Sequence, residues 1–152
     1  MKEYLAARVL KVSLYVIFVL GIIGSATLPI MLEFYTRMFY DSYYMQPDYR
    51  TFLLVFLYAV AVPGLWIILE MIFMMRSIPQ GPFIVKNVRA LSRIGVILFL
   101  ISTLFFAKVF YYFTFLTLAC GVLFLIFGFF ALTLSNLFHQ AVLYKEENDL
   151  TI

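Results

Sequence analysis

Charge is what this sequence most lacks. Lys, Arg, Asp and Glu make up 12% of its 152 residues, about half the roughly 25% of a typical soluble domain. With 65% of the chain hydrophobic and 20% aromatic, a soluble domain is excluded and a bilayer is the fitting solvent. Cysteine is nearly absent as well. Cys120 stands alone in an apolar run, which rules out an internal disulfide framework and leaves the compartment unread. The single histidine, His139, has no second histidine or cysteine nearby with which to share a metal. There is no Gly-rich phosphate loop, and Ser77, Ser92 and Ser135 have no evident base beside them. Neither the formal charge of +3 nor any basic run is large enough for nucleic acid. The expectation is a protein with no catalysis, no cofactor and no direct nucleic-acid binding.

What is present is a set of long apolar runs. Val12 to Leu32, Phe52 to Met75, Ile94 to Tyr112 and Phe115 to Phe138 each reach the ~20 residues needed to cross about 30 Å of hydrocarbon. They lack the period-two alternation of barrel strands, so each reads as a transmembrane helix, and residues 1–152 form one all-α integral membrane domain. The third and fourth runs have almost no connector and predict a tight hairpin turning between Lys108 and Thr117. Basic residues set the orientation. Lys2, Arg8, Lys11, Arg76, Lys86, Arg89, Arg93 and Lys145 fall on one side, Arg37, Arg50 and Lys108 on the other. Both termini, the 76–93 loop and the 139–152 tail are therefore expected in the cytoplasm. A cleaved signal peptide over Met1 to Ala26 is the rival reading, but the apolar run continues to Leu32, long enough to span. The 33–51 loop carries Tyr35, Phe39, Tyr40, Tyr43, Tyr44 and Tyr49, rings suited to the outer headgroup level.

Small residues predict where helices meet, because lipid supplies little hydrophobic drive for association. Thr117, Gly121, Gly128 and Ser135, with Ala131, lie on one stripe of the fourth helix and should pack inward. Gly21 and Ser25 offer a weaker pair on the first. Either seam could serve the chain itself or a homo-oligomer. Pro63-Gly64 interrupts the middle of the second helix. Two ionisable residues fall inside spans, Glu70 toward the cytoplasmic end of the second and Lys108 toward the outer end of the third. They are on the order of 15 Å apart along the membrane normal and cannot pair. Lys108 can snorkel outward. Glu70 needs Arg76 or a polar group of another helix, and a structural role for it outweighs a proton relay.

The second loop reads RSIPQGPFIVKNVRALSRIG. Pro79, Gly81 and Pro82 stop the helix. From Phe83 to Arg93 a helical period returns, with Ile84, Val88 and Leu91 on one face and Lys86, Arg89 and Arg93 on another. This predicts a short amphipathic cytoplasmic helix on the membrane surface, its basic face toward anionic headgroups, before the chain turns in at Ile94 and Gly95. The pattern Pro82, Phe83, Asn87, Val88, Leu91, Ile94 and Gly95, followed by Glu146, Glu147, Asn148, Asp149, Leu150, Thr151 and Ile152, resembles the bacterial membrane family catalogued as domain of unknown function 2975. The resemblance implies a bacterial inner-membrane protein of four spans. Family members are commonly encoded beside very short helix-turn-helix regulators of the Cro/CI type, which implies a small cytosolic regulator as partner. The residues Glu146 to Ile152 then become a docking segment, three carboxylates for steering and an apolar tip for a groove. Without the resemblance the same residues read as a solvated end. The expectation is a membrane-bound regulatory partner; the alternative is a small transporter or channel subunit, with Glu70 and Pro63-Gly64 near its path.

Overall fold

The computed structural model describes residues 2–38, 47–77 and 83–150, and among them it holds helices and no strand. The helices are α1 (Lys2–Met38), α2 (Pro47–Ser77), α3 (Val85–Tyr111) and α4 (Phe115–Leu150). All four are long and apolar enough to cross a membrane, and the protein is a multi-pass membrane protein. Helix pairs pack in chain order, α1 on α2, α2 on α3, and most extensively α3 on α4.

The helices outrun the predicted spans. α1 has 37 residues and α4 has 36, about 55 Å each at ~1.5 Å per residue, against about 30 Å of hydrocarbon. The tail, too short to fold alone, is helical through Leu150 as a continuation of α4. It needs no nucleus of its own, because each further residue adds one hydrogen bond to a helix already formed, and no Gly or Pro stands between Phe138 and Leu150. Likewise the 33–51 loop is shorter than expected, since α1 runs to Met38 and α2 starts at Pro47. Phe39, Tyr40, Tyr43, Tyr44, Pro79, Gly81, Pro82, Thr151 and Ile152 lie outside the described residues.

A second correction concerns the separate surface helix between the second and third spans. No break occurs at Ile94 or Gly95: Val85 to Tyr111 is one helix, entered through an extended Ile84 (φ −131°, ψ 147°). Its buried residues explain the continuity. Asn87, Ala90, Ile94, Leu98 and Ile101 step by three and four along one seam that runs straight through the expected joint. Ile84, Val88 and Leu91, the face assigned to lipid, are only half-buried. Gly95 marks a close approach rather than a turn. A Cβ there would lie 2.8 Å from Leu132 Cδ2 and 3.2 Å from the Gly128 carbonyl oxygen.

The small-residue stripe of α4 is buried at Thr117, Ala131 and Ser135 and, with Gly121 and Gly128, lies against α3. A Cβ on Gly128 would come within 3.2 Å of the Phe99 ring, and one on Gly121 within 3.4 Å of Phe105. Ile94, Leu98 and Ala131 form the core of this contact, with Ile67, Met74 and Phe124 packed around it. Gly21 plays a lesser part on α1, where a Cβ would meet Leu65 of α2 at 2.7 Å. That seam therefore serves packing within the chain. Ser25 donates to the Gly21 carbonyl at 2.8 Å. α2 continues through Pro63 and Gly64, and nothing lies within 4 Å of a Cβ on Gly64.

These distances separate two glycines by experiment. Gly95→Val is expected to lower stability by about 1–3 kcal/mol, the usual range for overpacking, whereas Gly64→Ala should leave it unchanged or slightly raised. Thermal unfolding of both variants in one detergent checks the difference.

Candidate functional site

The polar residues of this apolar chain gather near one end of the α2–α3–α4 row. α2 ends at Ser77 and α3 begins at Val85. In an antiparallel pair, residues equally far from the connection share a level, and Glu70 and Arg93 do so. The Arg93 guanidinium grips the Glu70 carboxylate with two bonds, Nε to Oε1 at 2.6 Å and Nη2 to Oε2 at 2.8 Å. This is the planar fork geometry that makes Arg the strongest carboxylate partner. Trp66, one turn earlier on α2, donates its indole N–H to Oε1 at 3.3 Å. The Glu70 side chain is 8% exposed and that of Arg93 52%, so a nearly buried carboxylate is neutralised by a cation reaching in from the rim.

Glu70 thus finds its partner on the next helix, and Arg93, placed by periodicity on the headgroup face, turns inward to supply it. Arg76, the residue nearest in sequence to fill that role, instead donates from Nε and Nη2 to the Tyr15 hydroxyl, the Nε bond being 3.0 Å, and so ties α2 to α1. One signal could have found the pair, namely the matched distances of Glu70 and Arg93 from the helix-breaking 78–82 segment.

Serines extend the layer to both sides. The Ser77 hydroxyl is 2.6 Å from Asn87 Oδ1 and 2.7 Å from the Met74 carbonyl, a second α2–α3 link. On the other flank Ser92 and Ser135 are 2.9 Å apart, and Ser135 donates to the Val88 carbonyl at 2.9 Å; with one proton each, Ser92 is the donor to Ser135. These serines, unpaired with any base in the sequence, act as interhelical ties. Deeper along α3, the fully buried Ser102 donates to the Gly121 carbonyl at 2.8 Å. At the far end Lys108 does not simply snorkel. Its Nζ bonds Thr117 Oγ1 at 3.1 Å and lies 5.3 Å from the Phe56 ring centroid. Tyr49, Phe52, Tyr111 and Tyr112 pack as rings beside it, Tyr49 and Tyr112 at 4.5 Å.

Two hollows adjoin the Glu70–Arg93 pair. A polar one of about 270 Å³ is lined by Glu70, Phe73, Met74, Lys86, Asn87, Ala90 and Arg93. An open apolar groove of about 920 Å³ runs between α2 and α3, with Trp66, Ser92 and Arg93 at one end and Val55 and Leu100 at the other. The remaining singled-out residues stand apart from the pair, except Lys86, which lines the polar hollow. Lys86 and Arg89 are exposed on α3, while Glu146, Glu147 and Asn148 are exposed on the last turns of α4. His139 is exposed on α4 too. Among the described residues no three of His, Cys, Asp and Glu come together to hold a metal ion.

Breaking the pair should cost more than any single interhelical hydrogen bond, which averages about 0.6 kcal/mol in a membrane protein. Arg93→Ala leaves a nearly buried carboxylate alone. Its expected cost is about 2–3 kcal/mol, below the 3–5 typical of fully buried pairs because Arg93 is half in solvent. Glu70→Gln, which keeps one acceptor for Arg93, should cost clearly less, and the order of the two unfolding temperatures is the check.

Comparison with curated proteins and with solved structures gave no significant match. A family model does match, over residues 3–152, which is nearly the whole chain and includes α1 to α4 entirely except the start of α1. By that match the chain belongs to the family described as Protein of unknown function (DUF2975).

Proposed function

We propose that this protein is a non-catalytic regulatory partner in the bacterial inner membrane, which holds or releases a small cytosolic helix-turn-helix regulator. Both termini face the cytoplasm in this reading, and the end of α4 is the docking element. One observation carries it: α4 is unbroken from its interface with α3 to Leu150, and it presents exposed Glu146 and Glu147 on the turns beyond the apolar span. A stiff acidic helix end suits a basic DNA-binding protein, since complementary charge steers encounter. Continuity with the α3 interface also gives a route from bilayer to docking surface, because a rearrangement of α3 against α4 moves the helix end as a body. Sequestration would follow from mass action, a bound regulator being kept from its operator.

The transport alternative draws on Glu70 and Pro63-Gly64. Glu70 is held by Arg93 and Trp66, and α2 continues through Pro63 and Gly64. A carboxylate locked in a bidentate pair is poorly placed to take up and release a proton.

The regulatory reading is tested by capture of small helix-turn-helix proteins from cytosol, using the detergent-solubilised full-length chain, a version ending at Tyr144, and Glu146→Gln/Glu147→Gln/Asp149→Asn. Binding by the intact chain alone, with the triple variant associating at least about tenfold more slowly at low salt, is the expected result. Equal binding by the intact and shortened chains would remove the helix end from the reading, and no binding by either would remove the regulator.

A further inference from the structure

The apolar groove between α2 and α3 has a charge pattern along its length that points to a ligand. On α3, Lys86, Arg89, Arg93, Val96 and Leu100 follow one another at steps of three and four, a single stripe of the helix. The first three are cations and the last two are apolar. Arg93, Val96 and Leu100 line the groove, with Ile97 between them, and Lys86 lines the polar hollow at its mouth beside Arg93. The α2 wall runs from Trp66 through Pro63, Val62 and Ala59 to Val55, about 16 Å along the axis at ~1.5 Å per residue. That is about half of a ~30 Å hydrocarbon layer, the depth of one leaflet. A smaller hollow of about 180 Å³, sharing Val55 and Ala59, continues toward Lys108.

We propose that this groove binds one anionic phospholipid, an acyl chain lying between α2 and α3 and the headgroup phosphate resting on Lys86, Arg89 and Arg93. Arg93 uses Nε and Nη2 on Glu70, so its guanidinium keeps N–H groups for a phosphate. The Glu70 charge offsets only one of the three cations and the mouth remains positive. Trp66, 56% exposed, stands at the same level and suits the boundary between chain and headgroup. A second copy of the chain fits less well. Copies inserted with the same topology are parallel, so their cationic mouths would adjoin and repel.

The full-length chain in mild detergent is titrated with phosphatidylglycerol or phosphatidylcholine, and bound lipid is counted by native mass spectrometry alongside the unfolding temperature. The expected result is one phosphatidylglycerol retained in preference to phosphatidylcholine, with a rise in unfolding temperature. Lys86→Gln and Arg89→Gln, exposed changes that leave the Glu70–Arg93 pair intact, should each cut the preference about fivefold, the weight of one basic residue at an anionic surface. Val96→Trp, at a residue 62% exposed, fills the groove and should abolish retention of either lipid while the chain stays folded. Equal retention of the two lipids, full retention by Val96→Trp, or the same stabilisation from inorganic phosphate alone would overturn the proposal. So would a dimer in which lipid and second copy compete.

Discussion

The Glu70–Arg93 pair is the constraint around which the rest of the structure is arranged. An ionised side chain costs about 2.5–3.5 kcal/mol at the middle of a membrane helix and less toward its end, but the Glu70 carboxylate is nearly buried and needs a partner even there. Joined through two bonds of 2.6 and 2.8 Å, they are close to neutral as a unit and fix the register of α2 against α3. That register matters because the helices pack in chain order. α1 attaches through α2, by the Arg76–Tyr15 bonds and the Gly21–Leu65 approach, and α4 attaches through α3. The α2–α3 joint therefore carries most of the contact between the two halves.

The α3–α4 seam and the α2–α3 joint are built differently. α3 and α4 approach closely, with Leu132 in the space a Cβ on Gly95 would take and the Phe99 and Phe105 side chains set close against Gly128 and Gly121. Dispersion over such a surface is considerable, and the Ser92–Ser135, Ser135–Val88, Ser102–Gly121 and Lys108–Thr117 hydrogen bonds are spread along it. α2 and α3 instead leave an open furrow along Ala59, Pro63 and Val96, and polar ties gather at its ends. Glu70–Arg93 and Ser77–Asn87 secure one end, while Lys108 over the Phe56 ring secures the other. Directional bonds at the ends of an open contact specify register without filling the middle.

This division explains what the sequence could disclose. Four spans were legible because length and apolar content depend on each run alone, and the α3–α4 hairpin because its connector is so short. The stripe from Thr117 to Ser135 was legible because helical periodicity is also local. The partner of Arg93 was missed for the opposite reason. Its own helix shows the basic face to which it belongs, and not the α2 carboxylate at the same level that it reaches. The separate surface helix failed in a related way, since Pro82 and Gly95 look like bounds of a short element until Leu132 and the Gly128 carbonyl of α4 show that the glycine serves packing. The helical tail was missed because its order is inherited from α4 and not written in the tail's own residues.

The unequal joints also decide where a signal could enter. A ligand shifts a conformational equilibrium only by the difference in its affinity for the two states, and a close-packed seam such as α3–α4 has few alternative packings to offer it. The α2–α3 joint is different, because its ties are few, polar and gathered at the mouth of a groove. Whatever meets Arg93 from outside competes with, or reinforces, its hold on Glu70, and so acts on the bond that sets the register of the two halves. α3 carries Arg93 on one face and the α4 seam on another. In the proposed regulatory reading, a change at Arg93 would therefore reach the acidic end of α4 by displacement of α3 and α4 together, with their tight interface preserved.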